Sequence, residues 1–111
     1  MPNDADFDLV DVTDVPSDVF QFMWEVANAV NNNVTALGAT DKVIQLYVVR
    51  EHASRLLSYR AVWRHAADTE FLARIVTLSI AQTVCRFGAP DDFELAASDH
   101  QCVAMLRAML N

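Results

Sequence analysis

Apolar positions recur with helical spacing between residues 17 and 37. They are Val19, Phe22, Met23, Val26 and Val30, and polar residues occupy the opposite face. Ser17 would cap this helix at its start, and Asp18 in the first turn suits the helix dipole. The pattern predicts an amphipathic helix that ends either within Asn31–Asn33 or at Leu37, with Gly38 as a left-handed cap.

The stretch from Lys42 to Leu57 allows two interpretations. At 100° per residue its apolar positions share one arc, and we favour a helix for that reason. These positions are Leu46, Val49, Ala53, Leu56 and Leu57. Residues 43, 44, 48 and 49 are β-branched, however, so a strand at 43–49 is the alternative.

Two further helices follow. Residues Thr69–Phe87 are apolar almost all round and carry only Arg74 and Arg86 as interior charges, which predicts a central helix capped by Asp68. Gly88 and Pro90 end it. Ser98 with Gln101 forms a capping-box pattern that opens a last helix. Its apolar positions are Cys102, Val103, Met105, Leu106, Met109 and Leu110.

These elements predict an all-α fold, a compact bundle of four to five helices with the central apolar helix near 69–87. The alternative is an α+β fold with a strand near 43–49. A chain of 111 residues forms one domain, and its two glycines and three prolines are too few for an all-β fold with many tight turns. Residues 1–16 form an acidic N-terminal arm, either disordered or docked, and residues 17–111 form a single helical domain.

The charge is unevenly distributed along the chain. Residues 1–41 hold eight acids and no base, residues 42–86 hold seven bases and three acids, and residues 87–111 hold four acids and one base. The basic middle can be neutralised by the acidic ends, within one chain or between copies, so direct nucleic-acid binding is not expected. The longest apolar run is too short for a membrane span, and the first residues resemble no secretory signal. We therefore expect a cytoplasmic protein.

The sequence contains no pattern specific to catalysis, a cofactor or a metal. It has no GxSxG motif, and its two glycines cannot form a phosphate-binding loop. The Asp4-x-Asp6-x-Asp8 spacing resembles the opening of a calcium loop, but Leu9 and Val15 replace the glycine and glutamate expected there. Cys85 and Cys102 are expected to be buried, reduced thiols. We predict a protein that is not an enzyme and needs no cofactor.

An arginine and aromatic cluster at residues 59–64 stands out in the middle of the chain. On a helix that begins at Lys42, Arg60 falls at the centre of the apolar arc without a local acid, whereas Arg64 has Asp68 four residues on. Three explanations are open. The helix ends near Ser58 and frees Arg60 to solvent, or Arg60 meets a carboxylate of the arm or of another subunit. In the third, the cluster binds an external partner.

We therefore expect a protein–protein interaction module: a small acidic regulator, inhibitor or chaperone of bacterial or phage type that binds a protein partner and self-associates, for example as a homodimer. One alternative is an acidic nucleic-acid mimic that blocks a nucleic-acid-binding protein. The other is a small enzyme or ligand-binding domain with a pocket near Arg60. The predicted partner-binding residues are Tyr59, Arg60, Trp63, Arg64, Asp4, Asp6, Asp8 and Asp11.

Overall fold

The computed structural model describes residues 6–38, 44–63 and 69–110. These residues form three helices and a three-stranded antiparallel sheet of order β1-β2-β3, which is an α+β fold. The all-α bundle of four or five helices is therefore wrong. In chain order the elements are β1 (Phe7–Leu9), a 3-10 turn (Val12–Asp14), α1 (Ser17–Ala36), β2 (Ile44–Glu51), β3 (Leu57–Trp63), α2 (Thr69–Phe87) and α3 (Ala97–Leu110).

Residues 44–63 form an antiparallel hairpin instead of a helix. Its register pairs Ile44 with Trp63 and Arg50 with Leu57. Because side chains alternate between the two faces of a strand, every second residue turns toward the helices. These inward residues are Ile44, Leu46, Val48, Leu57, Tyr59, Ala61 and Trp63, and all of them pack in or against the core. The strand lies where the alternative interpretation placed one, and its β-branched residues explain the preference.

The turn of this hairpin contains no glycine, and this is why turn residues do not mark it in the sequence. The backbone N–H of Glu51 donates to the carbonyl of Leu56 at 3.1 Å, which leaves residues 52–55 as the loop. Arg55 closes the loop with a φ of +63°, a left-handed conformation that glycine usually supplies.

β1 adds the N-terminal segment to the other edge of β2. Phe7 lies opposite Glu51 and Leu9 opposite Val49, and the Val10 N–H donates to the carbonyl of Val48 at 3.0 Å. The acidic segment is thus docked on the sheet from residue 6 onward. Asp4 lies outside the described residues.

The core lies between the inner face of the sheet and the three helices. α2 packs against both α1 and α3, and its Ile80 and Ala81 are fully buried. The side chains at the centre are nearly inaccessible to water: Val19, Val26, Leu72, Ile75, Val76 and Ile80.

Side chains at the helix ends differ from the expected caps. α1 runs through the three asparagines to Ala36, and the Asn33 amide donates to Ser79 Oγ and Gln82 Oε1, both at 3.0 Å. Ser17 is the first helical residue of α1 and does not cap it. α3 begins at Ala97, before the expected cap Ser98, and Asp99 in its first turn reaches back so that its Oδ2 accepts the Ala96 N–H at 3.3 Å.

The segment between α2 and α3 returns to the sheet at the first residue of β3. The Leu57 N–H donates to the carbonyl of Asp92 at 3.2 Å, and the Glu94 N–H donates to the carbonyl of Leu57 at 2.7 Å. These bonds hold the start of α3 against β3.

Candidate functional site

The predicted cluster at residues 59–64 does not form one surface. Tyr59 and Trp63 point toward the core, and Arg60, between them in the strand, points to the outer face of the sheet. Arg64 lies outside the described residues. The prediction that Arg60 lies on the apolar face of a helix is therefore wrong. Residues 57–63 form a strand, and the alternation of its side chains turns Arg60 away from the core.

Arg60 contacts the N-terminal strand. Its Cζ lies 4.2 Å from the centroid of the Phe7 ring, a cation–π contact across the outer face of the sheet. Val49 lies on the same face, paired with Leu9 and Ser58, and is only 2% exposed. The partner of Arg60 in the acidic segment is thus an aromatic ring, and the contact helps to cover an apolar residue of β2.

A cavity of about 460 Å³ lies beside this contact. Glu51 and Glu94 line it, and Ser54 Oγ lies 3.3 Å from Glu51 Oε2 and 2.9 Å from Glu94 Oε2. A hydrogen bond between the two carboxyl groups raises the pKa of Glu51 and lowers that of Glu94. The two carboxyl groups of the cavity are thus engaged with Ser54 and with each other. We therefore interpret the cavity as a structural contact between the β2–β3 turn and the segment before α3.

Tyr59 makes a buried polar contact with α3. Its hydroxyl donates to Asp99 Oδ2, and Asp99 is 0% exposed. Burial raises the pKa of Asp99 and also that of Tyr59. The other carboxylate oxygen, Oδ1, has no hydrogen-bond partner among the described residues, although the side chain of Thr77 lies close enough to lower the pKa of Asp99. Tyr59 therefore has a structural role.

The described aspartates of the N-terminal segment are all exposed. The Asp6 carbonyl accepts the His52 N–H at 2.9 Å, and the Asp8 carboxylate lies 3.0 Å from His52 Nε2. Asp11 accepts the Thr13 N–H at 3.1 Å, and this bond lowers the pKa of Asp11. These contacts fix the path of the segment and leave its carboxylates facing solvent.

An aromatic surface that was not predicted from the sequence lies on α1. The rings of Phe20 and Trp24 stack with centroids 6.5 Å apart and planes at 20°, and the residues are 46% and 57% exposed. They border a groove of about 260 Å³, which we call the α1 groove. The residues that line it are Val12, Phe20, Met23, Trp24, Ala27, Val30, Asn31, Ile44 and Leu46.

A signal for the α1 groove was present in the sequence. Phe20 and Trp24 are four residues apart and each follows a buried position, Val19 or Met23. They widen the apolar arc of α1 beyond the part that the core covers. A second aromatic stripe beside a complete core stripe indicates a contact surface.

Among the described residues, the lining of the α1 groove contains no charged side chain, although three aspartates flank its residues in sequence. Asp11 adjoins Val12 in sequence, Asp14 and Asp18 lie between Val12 and Phe20, and all three aspartates are exposed. Salt bridges with these three aspartates are absent among the described residues. Residues 1–41, which supply most of the groove lining, contain no Lys or Arg, whereas Asp18 and Glu25 line a separate pocket with Phe22 and Phe87.

The fold defines the class of this protein only as an α+β domain with three helices and a three-stranded antiparallel sheet. No protein-family model, curated protein or solved structure matches the chain. Neither α1, α2 nor α3, as far as the chain is described, has the combined length and apolar character to cross a membrane. In the same residues, no three His, Cys, Asp or Glu side chains come together as a metal site.

Proposed function

We propose that this protein is a non-enzymatic protein-interaction module that binds its partner through the α1 groove. The observation that carries the proposal is the stacked, half-exposed pair of Phe20 and Trp24 at the rim of an apolar groove. Tryptophan is enriched among the residues that dominate binding energy at interfaces. Large apolar side chains that cluster on a surface usually mark a site of contact with another molecule.

The exposed area of Phe20 and Trp24 is large enough for the pair to contribute much of the binding energy of an interface. A large aromatic side chain buries about 200 Å² when it is fully enclosed, so each of these half-exposed rings has roughly 100 Å² left to bury. At about 25 cal/mol per Å², the two together supply roughly 5 kcal/mol. The loss of rotational and translational freedom on binding offsets part of this free energy. The groove is therefore one part of a larger interface.

A larger groove, of about 870 Å³, lies between the helices and is a weaker candidate. Its walls combine the apolar side chains of Phe87, Leu106 and Leu110 with amides and with Glu25 and Arg86 of opposite charge. The balance of charges selects no particular partner. The α1 groove is lined mainly by apolar residues and carries two stacked aromatic rings at its rim, so its features agree with one another.

The biological role that we propose is a regulator, inhibitor or chaperone that covers part of another protein. Cytoplasmic location remains part of the proposal, and the free thiols of Cys85 and Cys102 suit a reducing compartment. Self-association also stays a proposal.

Photo-crosslinking in cells of the source organism tests the proposed function. A photoreactive amino acid replaces Trp24, and a matched control carries it at Ala73, an exposed position on α2. We expect a discrete adduct with another protein from position 24 and none from position 73. Adding Phe20→Ala should remove the adduct. Identical adducts from both positions, or none from position 24, would contradict the proposal.

A further inference from the structure

We infer that the protein forms a symmetric dimer in which the end of α3 of each copy enters a groove of the other copy. This inference goes beyond the function proposed above, because it concerns a surface other than the α1 groove. The groove is the one of about 870 Å³ bounded by α1, α2 and α3, and we call it the three-helix groove. Apart from Asn31, it shares no lining residue with the α1 groove.

The end of α3 carries an exposed apolar surface. Met105, Met109 and Leu110 are 65%, 77% and 78% exposed, and we call these three residues the α3 tip. Leu110 also lines the three-helix groove, together with Leu106 one helical turn earlier. The α3 tip and the groove are therefore neighbours on one surface. Two copies related by a two-fold axis beside α3 can thus exchange their tips, so that each groove is filled by the other copy.

The exposed apolar area is large enough for a dimer. Phe87, on the wall of the groove, is 58% exposed, and with the α3 tip it makes four large apolar side chains that face solvent. At roughly 100 Å² each, these side chains would bury roughly 800 Å² between two copies. The polar groove walls around them supply the remaining area up to the lower limit of about 1,000 Å² for a specific interface. Phe20 and Trp24 of the α1 groove offer only about half as much apolar area per copy.

The charges of this surface suit a second copy better than a foreign partner with one sign of charge. Glu25 and Arg86 line the three-helix groove. The exposed Arg107 is three residues from Leu110 and therefore shares a face of α3 with it. Within the described chain, neither Glu25 nor the two arginines form an ion pair. A two-fold interface brings one surface against itself, so both signs of charge must be present on it.

The exchange of tips assigns a partner to these charges. When the α3 tip of one copy enters the groove of the other, its Arg107 approaches Glu25 on the opposite wall. Such complementary pairs fix the register of an interface more than they raise its affinity. The apolar contacts are supplied by Ala29, Cys85 and Leu106 of the groove, on which the flexible methionine side chains of the tip can pack.

Sedimentation velocity of the purified chain across the micromolar range tests the inference. We expect a monomer–dimer equilibrium without larger species, because a two-fold interface closes on itself. Met109→Glu should weaken the dimer at least tenfold, since it places a charge in an apolar contact. Leu37→Glu is the matched control, because Leu37 is exposed after the last turn of α1 and lies outside the groove. It should leave the dissociation constant of the dimer unchanged.

Charge reversal tests which groups meet. Glu25→Arg and Arg107→Glu should each weaken the dimer severalfold, and the double variant should restore it because opposite charges then face each other again. Damage to the fold by either single variant would not be repaired in this way.

Crosslinking tests whether the tip of one copy reaches the groove of the other. Met109→Cys combined with Cys102→Ser leaves Cys85, in the groove, as the only other thiol. A short bismaleimide should then give covalent dimers joined between positions 85 and 109. Ala73→Cys in the same Cys102→Ser background is the control and should give no covalent dimer.

The inference fails if the chain stays monomeric throughout the micromolar range or if Met109→Glu leaves the dimer intact. Assemblies that grow beyond the dimer would also refute it, since they require a contact that does not close. Covalent dimers without a link between positions 85 and 109, or a double charge variant as weak as the single ones, would show that the tips are not exchanged. The proposed function is judged separately, because a heterologous adduct from position 24 would uphold it whatever the oligomeric state.

Discussion

The Tyr59 hydroxyl donates a hydrogen bond to the carboxylate of Asp99 and thereby joins β3 to the first turn of α3. The Tyr59 ring also stacks on Phe93, with centroids 6.4 Å apart. One side chain thus contacts both the segment before α3 and α3 itself. Because Asp99 is fully buried, this bond compensates part of the free energy lost when its charge is removed from water.

Removing the hydroxyl should destabilise the fold. We expect Tyr59→Phe to lower the free energy of unfolding by about 2 kcal/mol, because a buried carboxylate loses its side-chain donor. Urea denaturation measures the change. Tyr47→Phe is the matched control, since the Tyr47 hydroxyl bonds to Gln45 at an exposed site, and it should change stability by less than about 0.5 kcal/mol. Equal effects would refute the structural role of the Tyr59–Asp99 bond.

The buried carboxyl of Asp99 should give stability a distinct pH dependence. Burial raises its pKa above the unfolded value, so the native state binds more protons than the unfolded state between these two values. The wild-type protein therefore loses stability as pH rises through this window. Asp99→Asn lacks this loss.

The stability of Asp99→Asn relative to wild type should accordingly increase from about pH 3 to about pH 7. Thermal unfolding across that range measures it. Asp11→Asn should show the opposite trend, because the bond from Thr13 lowers the pKa of Asp11 and stabilises its charged form. A difference between Asp99→Asn and wild type that does not vary with pH would contradict the assignment.

Arg60 should control the attachment of β1. We expect Arg60→Met, which keeps the aliphatic stem but removes the charge over Phe7, to weaken the attachment by about 0.5–1 kcal/mol. The N–H of Val10 should then exchange with deuterium several times faster. Amides of Ile80 in α2 serve as the internal control. If exchange at Val10 stays unchanged, Arg60 does not hold the strand.

Replacing the turn residue Arg55 with glycine should stabilise the protein. Its positive φ strains a residue with a Cβ, so Arg55→Gly should raise the free energy of unfolding by up to about 1 kcal/mol. Arg107→Gly, in the last turn of α3, should lower it by about the same amount because glycine disfavours a helix. Both are measured by urea denaturation. A loss of stability at residue 55 would show that its side chain contributes more than the strain costs.

The helical parts of the fold could be predicted because their apolar periodicity repeats over several turns. α2 has the bounds given by the pattern, and α1 ends at the predicted left-handed Gly38 and differs only in its N-terminal cap. The hairpin could not be predicted with the same rules. Val49 is buried on the outer face, so the alternation of β2 is broken, and the turn uses Arg55 where a glycine would have been recognised.

The candidate site was not predicted, because the described residues expected to bind a partner do not line the α1 groove. Tyr59 and Trp63 support the core, and Arg60 contacts Phe7 of β1. The error follows from the period, since residues that share a helix face alternate between the two faces of a strand. The aromatic pair Phe20 and Trp24 could be recognised at helical spacing. The sequence does not show, however, which apolar face of α1 the core buries and which face stays exposed.

The short strand β1 also covers part of an edge of the sheet. β2 spans eight residues, Ile44–Glu51, and its IQLYVV portion is rich in β-formers and uncharged. Such a strand with an open edge is a template for intermolecular pairing and fibril growth. β1 pairs only with Val49–Glu51, and the Val10 N–H reaches the Val48 carbonyl, so the N-terminal segment blocks intermolecular pairing at this end of the β2 edge.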